Sequence, residues 1–378
     1  MKDKTILFVD PMSYHNLALY DYNLLLHIKH KRLIFACNKK FDLSIPHTIY
    51  HLFSYQEYTL LRKILSYVFS MIKILVICEK MKVNLVHFQW LKFPFFDYII
   101  IKILKYRKIK VVYTAHNALP HDSGKKYMWI YKLIYHEVDK VICHTHYAQV
   151  QLKYIFSLQN TVVIPHGLLD LKLLQEDSDI DLNLISHLEN ADGIVFSFLG
   201  NISNYKGIDI VVETWLSSNA LKKSNAKLLI AGSGVIPNIE KLSLCENVLL
   251  LNRMLNNNEL QFCINHSDFI LMPYKEISQS GLLLTVLTNR KKVIVSNLPP
   301  LIEPFEFISN DLGYILEENT SDNLKAILEQ ILINREKGVL LSEKIFEELS
   351  EYYSWEKIGV KTLQLYTNLL KNKCKRVV

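Results

Sequence analysis

The sequence predicts an α/β chain built from two tandem, doubly wound parallel-sheet domains that face a cleft between them. Three observations lead there. Short β-branched runs, apolar throughout, alternate with longer helical segments, which is the pattern of a parallel sheet covered on both faces. The rhythm occurs twice, with about six strands each time, and breaks only at residues 170–192. The length of 378 residues also exceeds what one core comfortably organises.

The first domain, residues 1–169, opens on the strand TILFVD (5–10), which runs into Pro11 and then His15. That apolar run is too short for a signal peptide and has no small-residue cleavage site. The helical pattern LALYDYNLLLHIKH (17–30) leads to the strand RLIFAC (32–37). The greasiest stretch, LLRKILSYVFSMIKILVIC (60–78), is interrupted by Arg62, Lys63 and Lys73. It reads as an amphipathic helix rather than a membrane span. NLVHF (84–88) is the next strand, with His87, Gln89 and Trp90 at its end. After the basic stretch KILKYRKIK (102–110), the strand KVVYT (110–114) ends in AHNALPHDS, which brings His116, Asn117, His121 and Asp122. The helix KYMWIYKLIYHE (126–137) and the strands VDKVIC (138–143) and TVVI (161–164) complete the set, with His166 and Gly167 at its exit.

Residues 170–192 are acidic, polar and poor in strand formers, as expected of an interdomain linker. The second domain, 193–353, restarts the rhythm with IVFSFLG (194–200), AKLLIAG (226–232), NVLLL (247–251), DFILM (268–272), KVIVS (292–296) and GYIL (313–316). The chain closes on a helical pattern at about 354–372 and a basic tail.

Composition excludes several classes. Half the residues are hydrophobic and 21% are charged, far from the balance of a disordered chain. The six cysteines form no CxxC pair, so neither a zinc ribbon nor a dithiol site is expected. No HExxH or His-x-His spacing occurs either, and no bound metal is expected. The net charge of +7 is spread over no recognised nucleic-acid module. A cytoplasmic chain is expected, and a two-domain solute-binding protein is disfavoured because it would need an export signal.

In open parallel sheets, ligands bind beyond the carboxyl ends of the strands. In the second domain, FLGNISNYKGID puts Gly200 at a strand end and Lys206-Gly207 before a helix. Glycine permits close backbone approach, and a helix N-terminus with a lysine suits an anion such as a diphosphate. A plain βα turn with a solvated lysine has the same spacing. No GxxxxGK[ST] loop is present. Ser278, Gln279, Ser280 and Gly281 form a second anion candidate ahead of an apolar helix, where an ordinary capped helix is the alternative. Gly232 and Gly234 supply another tight turn on that edge. In the first domain His15, His87, Gln89, His116 and His166 all fall at strand ends, one edge of one sheet.

These landmarks, VVYTAHNALPHDS, VDKVICHT, VVIPHG, FLGNISNYKGID, AKLLIAGSG and SQSGLLLTVLTNRKKVIVS, resemble the two-Rossmann (GT-B) glycosyltransferases, specifically family 4 and its neighbours, over nearly the whole chain. The resemblance implies two Rossmann-like domains, with the last helix returning to the first. It implies a UDP- or GDP-sugar donor held mainly by the second domain and a glycan or polyprenyl-linked acceptor held mainly by the first. Transfer would retain configuration and use no metal or other cofactor. His116 matches the histidine that reaches the donor sugar and its phosphates, Lys206 the lysine that neutralises the leaving diphosphate, and Ser280 and Gly281 the phosphate-holding loop. Leu282 extends that loop. On the acceptor side the candidates are His15, His87, Gln89, Asn117 and His121.

Three positions, in two motifs, depart from the pattern. Asn201 stands where many relatives have an arginine, and Arg253 is a candidate substitute. The two glutamates common in relatives fall on Ile277 and Thr285, with Glu276 one residue out of register. A sugar-nucleotide epimerase, which can share the fold, is one alternative, and a catalytically silent subunit, which these departures keep open, is another. The basic, amphipathic 60–82 and 102–110 stretches suit docking on anionic lipid, as expected of an enzyme of capsule, O-antigen or exopolysaccharide synthesis at the inner face of the cell membrane; an ordinary solvated helix face over a core has the same pattern.

Overall fold

The structure, a computed structural model, describes residues 3–54, 59–117, 127–174 and 179–371. The chain divides into two units, Met1–Gly167 with Tyr353–Val378, and Leu168–Tyr352.

The first unit is a seven-stranded sheet in which every pairing is parallel. Its strands are β1 (Thr5–Asp10), β2 (Leu33–Asn38), β3 (Thr48–Phe53), β4 (Val83–Phe88), β5 (Lys110–Ala115), β6 (Lys140–Cys143) and β7 (Thr161–Val163), in the order β3-β2-β1-β4-β5-β6-β7. The winding reverses between β1 and β4, the crevice where such sheets bind ligands. β3 was not among the expected strands. It is an edge strand, exposed or half-exposed except at Phe53, so it lacks the apolar run that marks a buried one.

Period-two alternation sends the two sides of each strand into different cores. Leu7, Val9, Val86, Phe88, Val111 and Tyr113 lie on the face covered by the helices Leu60–Lys80, Pro94–Tyr106, Met128–Glu137 and His146–Phe156. Ile6, Phe8, Leu85 and Val112 lie on the other, under the helix Ala18–His27 and the C-terminal helix Trp355–Lys371. The C-terminal helix buries Ile358, Gly359, Thr362 and Tyr366, a spacing of four that draws one stripe down the helix. Gly359 allows that approach, since a Cβ there would stand 2.6 Å from the His27 carbonyl oxygen.

The second unit is a six-stranded parallel sheet of β8 (Val195–Leu199), β9 (Lys227–Ala231), β10 (Val248–Leu251), β11 (Phe269–Met272), β12 (Lys292–Ser296) and β13 (Gly313–Leu316). Its order is β10-β9-β8-β11-β12-β13, and its winding reverses between β8 and β11. The core gathers Phe196, Phe198, Trp215, Leu228 and Phe269. Within the acidic stretch read as a linker, Asp181 caps a helix, Leu182–Glu189, that buries Leu184 and Leu188. Its charges face outward, so the composition concealed an amphipathic helix of two turns.

Candidate active site

At the carboxyl edge of the second unit, β8 ends in Gly200 at φ +91, a left-handed turn that glycine takes without strain. The chain then makes a short 3₁₀ turn, Asn204–Lys206, and enters the helix Ile208–Ser217 through Gly207 at φ +74. A Cβ on Gly207 would stand 1.9 Å from the Pro273 carbonyl oxygen. Lys275 fastens the turn from the far side, reaching Asn204 at 3.0 Å and Asp209 at 2.7 Å.

This bracing fixes Lys206. Its Nζ lies 3.4 Å from where a Gly200 Cβ would be and 5.6 Å from the centre of the Tyr274 ring. Among the described residues it has no carboxylate partner, and burial alone pushes its ammonium down to about 8. The Tyr274 hydroxyl reaches the Ser280 side chain. Ser280 caps the helix Gly281–Thr288 by accepting from the Leu283 N–H at 3.2 Å. Nothing among the described residues accepts from the next N–H groups back, those of Gly281 and Leu282. Tyr274 therefore lies under a cationic ammonium and reaches the cap of a helix with two open amide donors, groups suited to phosphate oxygens. Ser278 is buried beside them, and the buried Oε1 of Gln279 has no partner among the described residues.

Other residues expected to bind the donor have different work. Gly232 and Gly234 are required by packing within the unit. Cβ atoms there would stand 1.8 Å from the Gly200 carbonyl oxygen and 1.9 Å from that of Ile202, so the two glycines clasp the β8 and β9 loops together. Arg253 does not replace the arginine missing at Asn201. It pairs bidentately with Glu259 at 2.7 and 2.8 Å and with Asp181 at 3.1 Å, so its charge is already met. Thr285 faces inward at 4% exposure and returns its hydroxyl to the Gly281 carbonyl, so it offers a ribose nothing. Glu276 is exposed on the loop after β11, and Asn201 is exposed beside Gly200.

At the carboxyl edge of the first unit, His116 follows β5 and is 6% exposed. Trp90 stacks on it at 4.5 Å and 3°, and Tyr20 meets it edge-on at 5.2 Å. His144 lies 4.9 Å away, with His166 and Trp355 beyond it. Burial, reinforced by the neighbouring imidazoles, pushes His116 well below its ordinary value and takes His144 to about 3. Burial alone outweighs a carbonyl hydrogen bond at His166 and takes it to about 4. These rings are neutral at physiological pH, so His116 can donate or accept a hydrogen bond but brings no positive charge to a phosphate. Nearby, burial pushes Asp10 up to about 7, and burial and then Asp10 raise its neighbour Asp21 well above its ordinary value. Among the described residues no three His, Cys, Asp or Glu side chains gather as a metal site requires.

His15 is exposed at the start of a 3₁₀ turn and Asn117 is half-buried, both on this edge. His121 lies outside the described residues. His87 and Gln89 cannot meet an acceptor: both are fully buried, with their polar atoms bonded internally. His144, Tyr20, Trp355 and Tyr366 were not singled out from the sequence. His144 follows a strand end as His116 does, and the same edge rule would have found it. The other three come from helices, whose side chains a strand-end search does not sample.

Two family models match the chain, "Glycosyltransferase Family 4" over residues 27–168 and "Glycosyl transferases group 1" over residues 179–347. The O-antigen biosynthesis glycosyltransferase WclY of Escherichia coli is 22% identical over 289 residues, 72% of this chain and 76% of that protein. Among solved structures, the sucrose-phosphate synthase of Thermosynechococcus elongatus superposes with a TM-score of 0.72 at 16% identity, over 97% of this chain and 99% of the other. HepE of Anabaena, solved in complex with UDP-glucose, superposes at 0.70 and 16% identity over 96% and 99%. With a glycosyltransferase model on each unit and this fold throughout, the chain belongs to the family 4-like glycosyltransferases of the GT-B class.

Proposed function

We propose that this glycosyltransferase moves a sugar from a UDP- or GDP-linked donor to a glycan or lipid-linked oligosaccharide in bacterial surface-polysaccharide synthesis, with retention and without a metal. The observation that carries this reading is Lys206, a desolvated ammonium without a carboxylate partner among the described residues, set over the ring of Tyr274, whose hydroxyl reaches Ser280 at the cap of the helix that begins with the open N–H groups of Gly281 and Leu282. Breaking a sugar–phosphate bond loads charge onto phosphate oxygens, and preorganised donors at that point lower the barrier. The UDP-glucose held by HepE and the O-antigen role of WclY support the donor class and the pathway. On the first unit, His116 serves the transferred sugar, and His15 and Asn117 face the acceptor.

The test is nucleotide release from a panel of UDP- and GDP-sugars with and without crude lipid acceptor. Release that depends on acceptor is expected. Interconversion of the donor without acceptor would make the chain an epimerase, and neither activity would make it a silent subunit. Product anomers read by NMR should match the donor's, and inversion would overturn the retaining mechanism.

Membrane association is part of the same proposal. Leu61, Leu65, Phe69, Ile72 and Val76 are exposed along one stripe of the helix Leu60–Lys80, with Arg62, Lys73 and Lys80 along its flank. No helix among the described residues is long and apolar enough to cross a membrane. An apolar stripe edged by cations suits the surface of an anionic leaflet. Pelleting with anionic but not neutral vesicles is expected, and equal pelleting on both would count against it.

A further inference from the structure

A buried chain of hydrogen bonds runs from the C-terminal helix to His116. Tyr366 Oη meets His87 Nδ1 at 2.5 Å. On the other side of that ring, Nε2 lies 2.7 Å from Thr114 Oγ1 and 3.2 Å from Gln89 Nε2. The amide oxygen of Gln89 then lies 3.0 Å from His116 Nε2. His87, Gln89 and Thr114 are fully buried, as is Tyr366. Strand alternation explains the gathering: Leu85 and His87 on β4, with Gln89 just past its end, and Val112 and Thr114 on β5, with His116 just past its end, keep the parity of the face that the C-terminal helix covers.

The chain has one polarity. An amide nitrogen only donates, so His87 Nε2 is the unprotonated nitrogen, accepting from Gln89 and Thr114. Burial pushes His87 down to about 3, so the ring is neutral and its single proton is on Nδ1, donated to Tyr366. An amide oxygen only accepts, so His116 carries its proton on Nε2. Its Nδ1 makes no hydrogen bond among the described residues and is left as an acceptor. Trp90 and Tyr20 clamp the ring plane, and Gln89 sets which nitrogen is which. Which ring nitrogen carries the proton decides whether a histidine offers a substrate a donor or an acceptor.

We propose that Gln89, oriented by His87 and through it by Tyr366 of the C-terminal helix, is a positioning residue that holds His116 as the Nε2–H tautomer and presents Nδ1 as an acceptor. The proposal rests on the reading that His116 serves the transfer, and the measurements separate the two. In full-length protein with ¹⁵N-labelled histidine rings, the resonances lost in His116→Ala identify that ring. They should show a protonated Nε2 and an unprotonated Nδ1. Gln89→Leu should convert this to a tautomer mixture, and Gln89→Glu, which keeps an acceptor for the Nε2 proton, should restore it.

Tyr366→Phe removes only a hydroxyl and keeps the ring packed. It and Gln89→Leu should each lower kcat about tenfold, the scale of one lost hydrogen bond, with donor KM and UDP affinity little changed. Combined with His116→Ala, neither should lower turnover further. An Nδ1–H tautomer in the unmodified protein, a pattern indifferent to Gln89→Leu, or full additivity with His116→Ala would overturn the proposal. Unchanged turnover in His116→Ala with the tautomer as described would instead overturn the catalytic reading of His116 and leave the hydrogen-bond chain standing.

Discussion

Replacing Lys206 by methionine keeps the unbranched apolar stem of the side chain and removes the charged end, and the structure says what this should cost and what it should return. A unit charge about 4 Å from a phosphate oxygen, at the effective dielectric of about 20 that suits such sites, is worth about 4 kcal/mol. Loss of one preorganised donor to a developing oxyanion costs about a hundredfold to a thousandfold. Acceptor-dependent nucleotide release by Lys206→Met should fall by that factor. The ammonium is also a burden on the fold. Its value is lowered from 10.5 to about 8 by burial, which corresponds to about 3 kcal/mol of destabilisation at neutral pH. For a base held below its unfolded value, the unfolded chain binds more protons between pH 8 and 10.5. Stability of the second unit should therefore rise with pH across that window and be lowest below it.

Lys206→Met should thus be less active and more stable to urea at pH 7. Donor affinity in the unmodified protein should hold up to about pH 8 and then decline as the ammonium deprotonates. Lys206→Arg keeps its charge through that range and should lose the alkaline decline. A methionine variant that loses activity and stability together would mean the ammonium props up the loop. An alkaline decline that persists in the arginine variant would assign it to another group.

Arg253→Ala should leave UDP affinity unchanged in titration calorimetry, while lowering stability by about 1–3 kcal/mol, because the nearly buried Glu259 carboxylate loses its bidentate partner. Gly207→Ala should weaken UDP binding and destabilise the second unit together, since its φ of +74 and the 1.9 Å approach to the Pro273 carbonyl force the Lys206 turn to shift; an unchanged Kd would show the turn is not part of the donor site. For the first unit, urea titrations across pH should find a stability maximum near neutral. Below 6.5 the buried imidazoles of His87, His116, His144 and His166 stay neutral while their unfolded counterparts take up protons, so stability falls on acidification. Asp10 and Asp97, raised to about 7 mainly by burial, and Asp21, raised well above its ordinary value by burial and by Asp10, oppose this with three carboxyls against four imidazoles, since stability falls as pH rises toward their folded values.

Much of this was legible in the sequence because buried parallel strands announce themselves. Six of seven strands in the first sheet and all six in the second stand where apolar runs put them, and the exception, Thr48–Phe53, is the edge strand whose exposure removes the signal. Strand-end position also marked His116, Lys206 and Ser280. What sequence could not give was the partner that each side chain meets near a strand end. His87 looks like a rim histidine, yet alternation turns it under the C-terminal helix, almost 280 residues away in the chain, onto Tyr366. Arg253 looks like a spare cation until the Asp181 and Glu259 carboxylates converge on it. Those pairings are long-range, and no local spacing encodes them.

The distribution of satisfied and unsatisfied charge within each sheet carries the argument one step further. At the amino ends the charges are matched. Asp139, before β6, takes Lys105 at 2.6 Å, Lys110 at 2.9 Å and the Val111 N–H at 2.8 Å, which together hold it below its usual range despite burial. Asp268, before β11, accepts from the Val195 and Gly338 N–H groups. At the carboxyl ends the same chain tolerates the paired carboxyls Asp10 and Asp21, both raised by burial, and the ammonium of Lys206, which has no carboxylate partner among the described residues. A sequence that satisfies polar groups with ordinary economy at one end of each sheet could do so at the other. Leaving these groups costly at the ligand-binding end is what a site evolved for a charged, hydroxyl-rich substrate requires, because the missing partners are supplied by the substrate.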